Sequence, residues 1–235
     1  MQRSNGFLLF DIRTIITCIK RFCMLVTFWH SYKQWILLAI IIIFHTVGFF
    51  GLQSANRAFF LSLSPLNLVL SFTCLLLSYS RLTYRLLLAI LVVGIAGFLA
   101  EFIGVHTHLL FGNYHYGNNL GYKLAGIPLL IAVNWVMLSL SAIAVVVSLK
   151  TSLLVKALLS ATLMTLLDFF IEPVAISSDF WLWANGIIPI YNYVCWWLLS
   201  FVLHFWLLKR GVVEQNSVGI GLYLVLVLFF GLLNF

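Results

Sequence analysis

The sequence predicts an all-α fold, a polytopic membrane helical bundle with about seven transmembrane helices. Hydrophobic residues make up 63% of the chain and charged residues only 8%, and the mean hydropathy is +1.12. A soluble domain carries about 25% charge, so this chain lacks the residues to cover a water-exposed surface. The apolar residues also fall in long runs without the period-2 alternation of a membrane barrel, which favours helices.

Seven apolar runs are long enough to be membrane helices. Crossing the hydrocarbon takes about 20 residues, because every backbone amide must be satisfied within the helix. The runs are 34–52, 58–80, 86–103, 128–149, 153–171, 189–208 and 217–235. The second contains Pro65, which a membrane helix tolerates where its neighbours satisfy the freed carbonyl. The sequence therefore predicts a single transmembrane domain over 34–235.

The preceding segment, residues 1–33, mixes apolar residues with charged ones such as Asp11 and Arg13. It lacks the clean apolar stretch and the small-residue cleavage site of a signal peptide. We expect a cytoplasmic-side amphipathic segment, with an interfacial helix over roughly 7–30. The cysteines, Cys18, Cys23, Cys74 and Cys195, have no metal or redox spacing and are interpreted as small hydrophobic residues.

The basic residues are distributed unevenly along the chain, whose formal net charge is +7. If the N-terminus lies inside, the outer segments hold only Arg57 and Lys123. The inner segments hold Arg3, Arg13, Lys20, Arg21, Lys33, Arg81, Arg85, Lys150, Lys156, Lys209 and Arg210. This asymmetry predicts seven crossings of the inner or plasma membrane, with a cytoplasmic N-terminus and an extracytoplasmic C-terminus. The basic excess thus reflects topology and does not require a nucleic-acid partner.

Three of the six acidic residues lie near the outer ends of predicted helices. Glu101 ends the third helix, and Asp168 and Glu172 lie four apart on one face of the fifth. An acidic group in a membrane helix costs a few kcal/mol, which makes it a functional candidate by default. Asp168 acting only as a cap or a snorkelling residue is the structural alternative. Two neighbouring carboxyl groups also oppose joint ionisation, so one keeps a proton near neutral pH.

The long segment from Glu101 to Trp135 is rich in histidine, tyrosine and glycine, which is typical of the mouth of a pocket. His106, His108 and His115 are too few for a membrane di-iron oxygenase, while a three-histidine zinc site stays possible. Hydrogen bonding or proton relay near Glu101 suits these histidines better. Retinal binding is excluded because the last predicted helix has no lysine for a Schiff base.

Aromatic residues around the sixth predicted helix have two interpretations. They are Trp181, Trp183, Tyr191, Tyr193, Trp196 and Trp197. They are placed either as an interfacial belt of anchors, or as walls that hold a polyene and stabilise a cation through their π faces.

Two blocks of motifs carry a resemblance to a known family. The first is Glu101, Gly104–Val105–His106–Thr107, Phe111–Gly112–Asn113–Tyr114–His115–Tyr116, Leu120–Gly121, Gly126–Ile127–Pro128–Leu129 and Trp135. The second is Asp168, Glu172–Pro173, Trp181, Trp183, Pro189, Asn192 and Trp196. In order and spacing they resemble integral-membrane carotenoid biosynthesis proteins, the CruF-type carotenoid 1,2-hydratases that include bisanhydrobacterioruberin hydratases. His108 and Asn134 stand where glycine and alanine are more usual.

The resemblance implies a hydro-lyase that adds water to the C1–C2 double bond of a carotenoid ψ-end group, without a metal or redox cofactor. Asp168 or Glu172 would donate the proton, and Glu101 would orient or deprotonate the water. Supporting and substrate-binding roles would fall to His106, His115, Tyr114, Thr107, Trp135, Trp181, Trp183, Asn192 and Trp196. The implied partners are a carotenoid, membrane lipid and other carotenoid-pathway enzymes. An end-group cyclase of the lycopene type, a non-catalytic carotenoid- or lipid-binding protein and a small transporter are the alternatives.

Overall fold

The protein is a helical bundle of the predicted all-α class. The computed structural model describes residues 12–235, with side chains from residue 31 onward. Within this range the helices are α1 Ile12–Leu52, α2 Arg57–Ser62, α3 Ser64–Ser78, α4 Tyr84–Thr107, α5 Leu130–Val146, α6 Leu153–Ser177, α7 Ile190–Arg210 and α8 Ser217–Leu233. The amphipathic character predicted for 1–33 falls mostly on side chains outside the described residues and stays a prediction.

Four stretches are long and apolar enough to cross a membrane: Ser31–Leu52, Tyr84–Thr107, Leu153–Ser177 and Ile190–Arg210. Three shorter apolar helices, α3, α5 and α8, correspond to the other predicted spans. A helix of 17 residues, such as α5 or α8, is about 26 Å long, close to the roughly 30 Å hydrocarbon core. The order of the seven predicted segments is therefore recovered, although three of them are short.

Two prolines act differently from the sequence prediction. The segment 58–80 is not one helix, because α2 ends at Ser62 and α3 begins at Ser64. Pro65 lies in the first turn of α3, where its missing N–H removes no helical hydrogen bond. Pro173 does not end the fifth segment near 171, because α6 continues through it to Ser177. Asp168 and Glu172 consequently lie inside a helix, with Asp168 about two and a half turns from its end.

Helix α5 is the centre of the bundle and packs against α3, α4, α6, α7 and α8. Almost every residue from Trp135 to Ala144 is buried, so α5 has no lipid-facing side. The peripheral helices instead expose large apolar side chains, for example Leu88, Leu91 and Ile95 of α4. An apolar exterior of this kind suits a bilayer as the surrounding solvent.

Short strands join two connecting segments at one end of the bundle. Strand β1, Tyr114–Tyr116, pairs antiparallel with β4, Trp181–Trp183, so that Tyr114 opposes Trp183 and Tyr116 opposes Trp181. Strands β2, Lys123–Leu124, and β3, Ile127–Pro128, form a second small pair in the same connection as β1. We call this end the site end; it holds residues 53–63, 108–129 and 178–189.

The other end of the bundle, which we call the basic end, holds the connections 79–83, 147–152 and 211–216. There the backbone N–H of Ser80 donates to Glu214, the Asn216 amide donates to Ser78 Oγ, and the Lys156 ammonium donates to the Val147 carbonyl. Arg81, Arg85, Lys150, Lys209 and Arg210 lie at or beside these connections. The helices thus separate the basic end from the site end.

Candidate functional site: three buried carboxyl groups at the site end

Three acidic side chains from two helices converge under the β1–β4 pair. Glu101 comes from α4, and Asp168 and Glu172 come from α6; each is at most 3% exposed. Glu101 and Glu172 line one small cavity. Asp168 does not line this cavity, but it is joined to Glu172 through the amide of Asn192. The predicted gathering of the carboxyl groups at one depth is therefore present.

Glu101 accepts hydrogen bonds from three neutral donors. The hydroxyls of Tyr114 and Tyr116 donate to Oε2, at 2.5 and 2.8 Å, and the Trp135 indole donates to Oε1 at 3.0 Å. Both tyrosines reach the same carboxylate because side chains two apart on a strand point to one face. Burial and the neighbouring Glu101 charge raise the pKa of both tyrosines, which keeps their hydroxyls protonated as donors. An anionic Glu101 is thus well supported.

A glycine one turn before Glu101 makes this contact possible. A Cβ at Gly97 would lie only 2.4 Å from Trp135 Cγ, so the indole packs directly on the backbone of α4. The close approach places the indole N–H of Trp135 on Glu101.

Glu172 has a parallel set of donors from β4 and α7. The indoles of Trp181 and Trp183 donate to Oε2 at 2.9 and 2.8 Å, and Asn192 donates to Oε1 at 2.8 Å. The same Asn192 amide donates to Asp168 Oδ2 at 3.3 Å. Within the described part of the chain this long bond is the only one that the Asp168 carboxyl group accepts, which makes Asp168 the member of the pair least supported as an anion.

Aromatic rings form most of the remaining wall of the cavity. Trp135 and Trp196 stack with their ring centres 4.1 Å apart, and Phe111 lies against both. Tyr114 and Trp183 pack at 5.0 Å across the strand pair. The electron-rich faces of these aromatic rings and the hydrogen-bonded carboxylates of Glu101 and Glu172 together form a site suited to a positively charged group.

The two basic residues of the site end bond to other groups. The Arg57 guanidinium donates to the Ser177 carbonyl at 2.9 Å, and the Lys123 ammonium donates to the Tyr116 carbonyl at 2.9 Å. The hydrogen bonds to Glu101 and Glu172 come instead from neutral hydroxyl, indole and amide groups. Three carboxyl groups in one buried cluster oppose full ionisation, so the site has capacity to hold a proton.

A second, larger cavity adjoins the carboxylate pocket. It is lined mainly by apolar residues of α1, α3, α5, α6 and α8. Ile131, Asn134 and Trp181 line both cavities. An apolar ligand in the larger cavity would therefore lie against residues that also line the carboxylate pocket.

Most of the predicted site residues meet at this pocket. The residues brought together are Glu101, Asp168, Glu172, Tyr114, Trp135, Trp181, Trp183, Asn192 and Trp196. The interpretation of the tryptophans as belt anchors fails for Trp181, Trp183 and Trp196, which are buried. Exposed Tyr191, whose hydroxyl donates to the Leu109 carbonyl, fits a rim position.

Three predicted supporting residues lie elsewhere. His106 stacks on Phe102 with ring centres 4.3 Å apart, and its Nδ1 bonds the Phe102 carbonyl. Thr107 bonds the Ile103 carbonyl, and His115 points outward from the middle of β1. The expected hydrogen bonding of His106 and His115 near Glu101 is not seen. Their place is taken by Tyr116, whose two-residue spacing from Tyr114 was the available signal.

Metal-binding groups do not converge in the described part of the chain, where no three His, Cys, Asp or Glu side chains form a candidate metal site. Cys74 and Cys195 are buried free thiols, as interpreted from the sequence. The side chains of Cys18 and Cys23 lie outside the described residues.

Comparison with known proteins identifies one family. The family model described as "Carotenoid biosynthesis protein" matches residues 63–235, a range that includes every residue of the carboxylate pocket. No curated protein and no solved structure matches the chain.

Proposed function

Since the chain belongs to the carotenoid biosynthesis protein family, we propose that it is a membrane-embedded carotenoid 1,2-hydratase. The enzyme would add water across the C1–C2 double bond of an acyclic ψ-end group to give a tertiary alcohol. Three chemical events are needed: protonation of C2, attack of water on the tertiary cation at C1, and removal of a proton from the bound water. No electron transfer occurs in any of them.

The observation that supports this proposal best is the position of the three carboxyl groups in an aromatic pocket beside an apolar cavity. Protonating an alkene demands a strong acid kept away from bulk water. The cation that forms demands electron-rich neighbours that do not trap it covalently at once. Indole faces satisfy this demand: Trp181, Trp183 and Trp196 line the pocket, and Trp135 stacks on Trp196.

We assign the transferable proton to the Asp168–Glu172 pair. Asp168 is the least supported carboxylate, and the forked amide of Asn192 links it to Glu172. Glu172 is the member of the pair that faces the cavity, so the proton that rests on Asp168 would pass to Glu172 and from there to C2. Glu101, held as an anion by two tyrosines and an indole, receives the proton of the attacking water. The proton then returns to the Asp168–Glu172 pair before the next turnover.

The larger cavity accounts for how a carotenoid would approach. A C40 polyene is about as long as the roughly 30 Å hydrocarbon core, so an end group reaches a membrane face while the chain stays in hydrocarbon. The apolar cavity would hold the units next to the reacting end, and three of its residues, Ile131, Asn134 and Trp181, also line the pocket of Glu101 and Glu172.

The test is expression in a host that accumulates lycopene or γ-carotene, followed by chromatography and mass spectrometry of the pigments. Hydration adds the mass of one water per end group. The same acid and the same aromatic walls would also serve an end-group cyclase, whose product keeps the mass of the substrate. A non-catalytic carotenoid-binding protein leaves the pigments unchanged.

Matched variants connect the reaction to the site. Glu172→Gln and Glu101→Gln remove one ionisable group each with little change in volume, and we expect loss of hydration by at least about a thousandfold for Glu172. Glu214→Gln at the basic end is the control, because Glu214 bonds Ser80 and lies away from the pocket. Full hydration by Glu172→Gln at normal membrane abundance would overturn the assignment.

A further inference from the structure

From the two cavities and the hydrogen bonds around them, we infer that Asn134 holds the water that attacks the cation. This inference rests on the proposed hydration. Asn134 is the fifth residue of α5, directly before Trp135, and lines both the carboxylate pocket and the apolar cavity. It thus lies where the end of a polyene and the acidic groups would meet.

The carboxamide of Asn134 is uncommitted. The other carboxyl, hydroxyl and amide groups that line the pocket have partners: Glu101 with Tyr114 and Tyr116, and Glu172 with Asn192. The Asn134 carboxamide makes no hydrogen bond within the described part of the chain, and the residue is half-buried. Because leaving a polar group in a pocket without a partner costs free energy, this amide is expected to bind water or a polar ligand group.

The chemistry of an amide suits the handling of a nucleophilic water. Its carbonyl oxygen accepts a proton from water and leaves a lone pair on the water oxygen free to attack. The Trp196 indole, which also faces the pocket, can only donate and cannot do this. A carboxylate has about four acceptor positions, and Glu101 fills three, with Oε1 bonded only to Trp135. Oε1 therefore keeps one position for the proton that the water loses.

The step is balanced without further reactants. A C2–H bond forms as the O–H bond of the carboxylic acid breaks, and the alkene electron pair leaves C1 as a cation. The lone pair of the water on Asn134 then forms the C1–O bond, and its proton passes to Glu101. Without a water in place, the cation either loses a proton to reform an alkene or is attacked by a neighbouring alkene of the same polyene.

Asn134→Leu tests this directly, because leucine keeps the branched shape of the asparagine side chain but cannot bind water through hydrogen bonds. Alanine is the poorer choice, since it leaves room for a water molecule in place of the amide. Asn113→Leu is the matched control, because Asn113 is exposed and lines neither the apolar cavity nor the carboxylate pocket. Membranes carrying each variant are incubated with lycopene in D₂O, and mass spectrometry measures both the hydrated product and deuterium in the unhydrated pigment.

We expect wild type and Asn113→Leu to form deuterated alcohol. Asn134→Leu should form at least roughly tenfold less alcohol while its unhydrated pigment, linear or cyclised, gains deuterium, because protonation continues and only water capture fails. A merely structural role would reduce both signals together. Hydration by Asn134→Leu at the wild-type rate, or equal loss of alcohol and deuterium, would overturn the inference. If wild type forms no alcohol, the proposed function itself fails.

Discussion

Tyr114 shows how closely a single hydroxyl is tied to the carboxylate pocket. It donates to Glu101 Oε2, and burial together with the Glu101 charge raises its pKa so that the donor proton is retained. A hydrogen bond to a charged group contributes about 1.5–3 kcal/mol. Tyr114→Phe is therefore expected to lower the yield of hydrated carotenoid by roughly tenfold or more without loss of the protein from the membrane. Tyr122→Phe, at a side chain that is 76% exposed, should match wild type.

Unlike Tyr114, the histidines His106 and His115 are predicted to have little effect on hydration. His106 and His115 lie outside the pocket, on the outer face of α4 and of β1. His106→Ala and His115→Ala should keep hydration within about twofold of wild type, as is usual for surface substitutions. Pigment analysis of the two variants checks this. A large loss in either would mean that the bound state recruits a histidine, and it would count against a mechanism run by carboxyl groups alone.

At this scale the sequence located the acids but not their partners. Glu101, Asp168 and Glu172 were recognisable because an acidic residue is rare within apolar runs. The roles of Tyr116 and Asn134 depend on which groups reach the pocket. Tyr116 reaches the pocket because it pairs with Trp181 across the two strands. These two segments are far apart in the chain, so no local sequence pattern predicts their contact.

At the scale of elements, the contact between α4 and α5 depends on Gly97. Gly97→Ala would place a Cβ 2.4 Å from Trp135 Cγ, which forces the indole away from Glu101. Overpacking of this kind typically costs about 1–3 kcal/mol. We expect a lower melting temperature in detergent together with reduced hydration. Gly94→Ala, one turn earlier, is the control, because its Cβ would lie 3.5 Å from Val136 in an ordinary contact; equal effects of the two would contradict this account.

The ends of the helices were harder to predict than their existence. A hydropathy scale gives Pro65 and Pro173 the same value and cannot distinguish their positions in a helix. Pro65 lies in the first turn of α3, whereas Pro173 lies within α6. A proline in the first turn has no helical hydrogen bond to lose, whereas the neighbours of an interior proline in a membrane bundle can satisfy the freed carbonyl. Because α6 continues through Pro173, Asp168 and Glu172 lie on one helical face, as their four-residue spacing predicts.

For the whole molecule, the seven apolar segments and their order followed from composition and length alone, because a bilayer requires long runs without charge. The orientation remains a prediction from the basic residues. Arg57 and Lys123 occupy the site end, while Arg81, Lys150 and Lys209 are among the many at the basic end. The positive-inside rule therefore places the site end on the extracytoplasmic side.

Labelling in intact cells tests this orientation. His115→Cys introduces an exposed thiol at the site end, and Lys150→Cys introduces one at the basic end. A membrane-impermeant maleimide added outside should label His115→Cys alone, and both after the cells are opened. Labelling is scored against wild type, in which Cys74 and Cys195 are buried. Exclusive labelling of Lys150→Cys in intact cells would reverse the predicted topology.

The pairing of β1 with β4 also divides the pocket between two parts of the chain. Glu101, its tyrosines and Trp135 precede the connection 147–152, whereas both acids of α6, their tryptophans and Asn192 follow it. A chain cut in that connection would yield two polypeptides, each with half of the chemistry. Hydration by the co-expressed halves would then report how well two membrane fragments find and recognise each other.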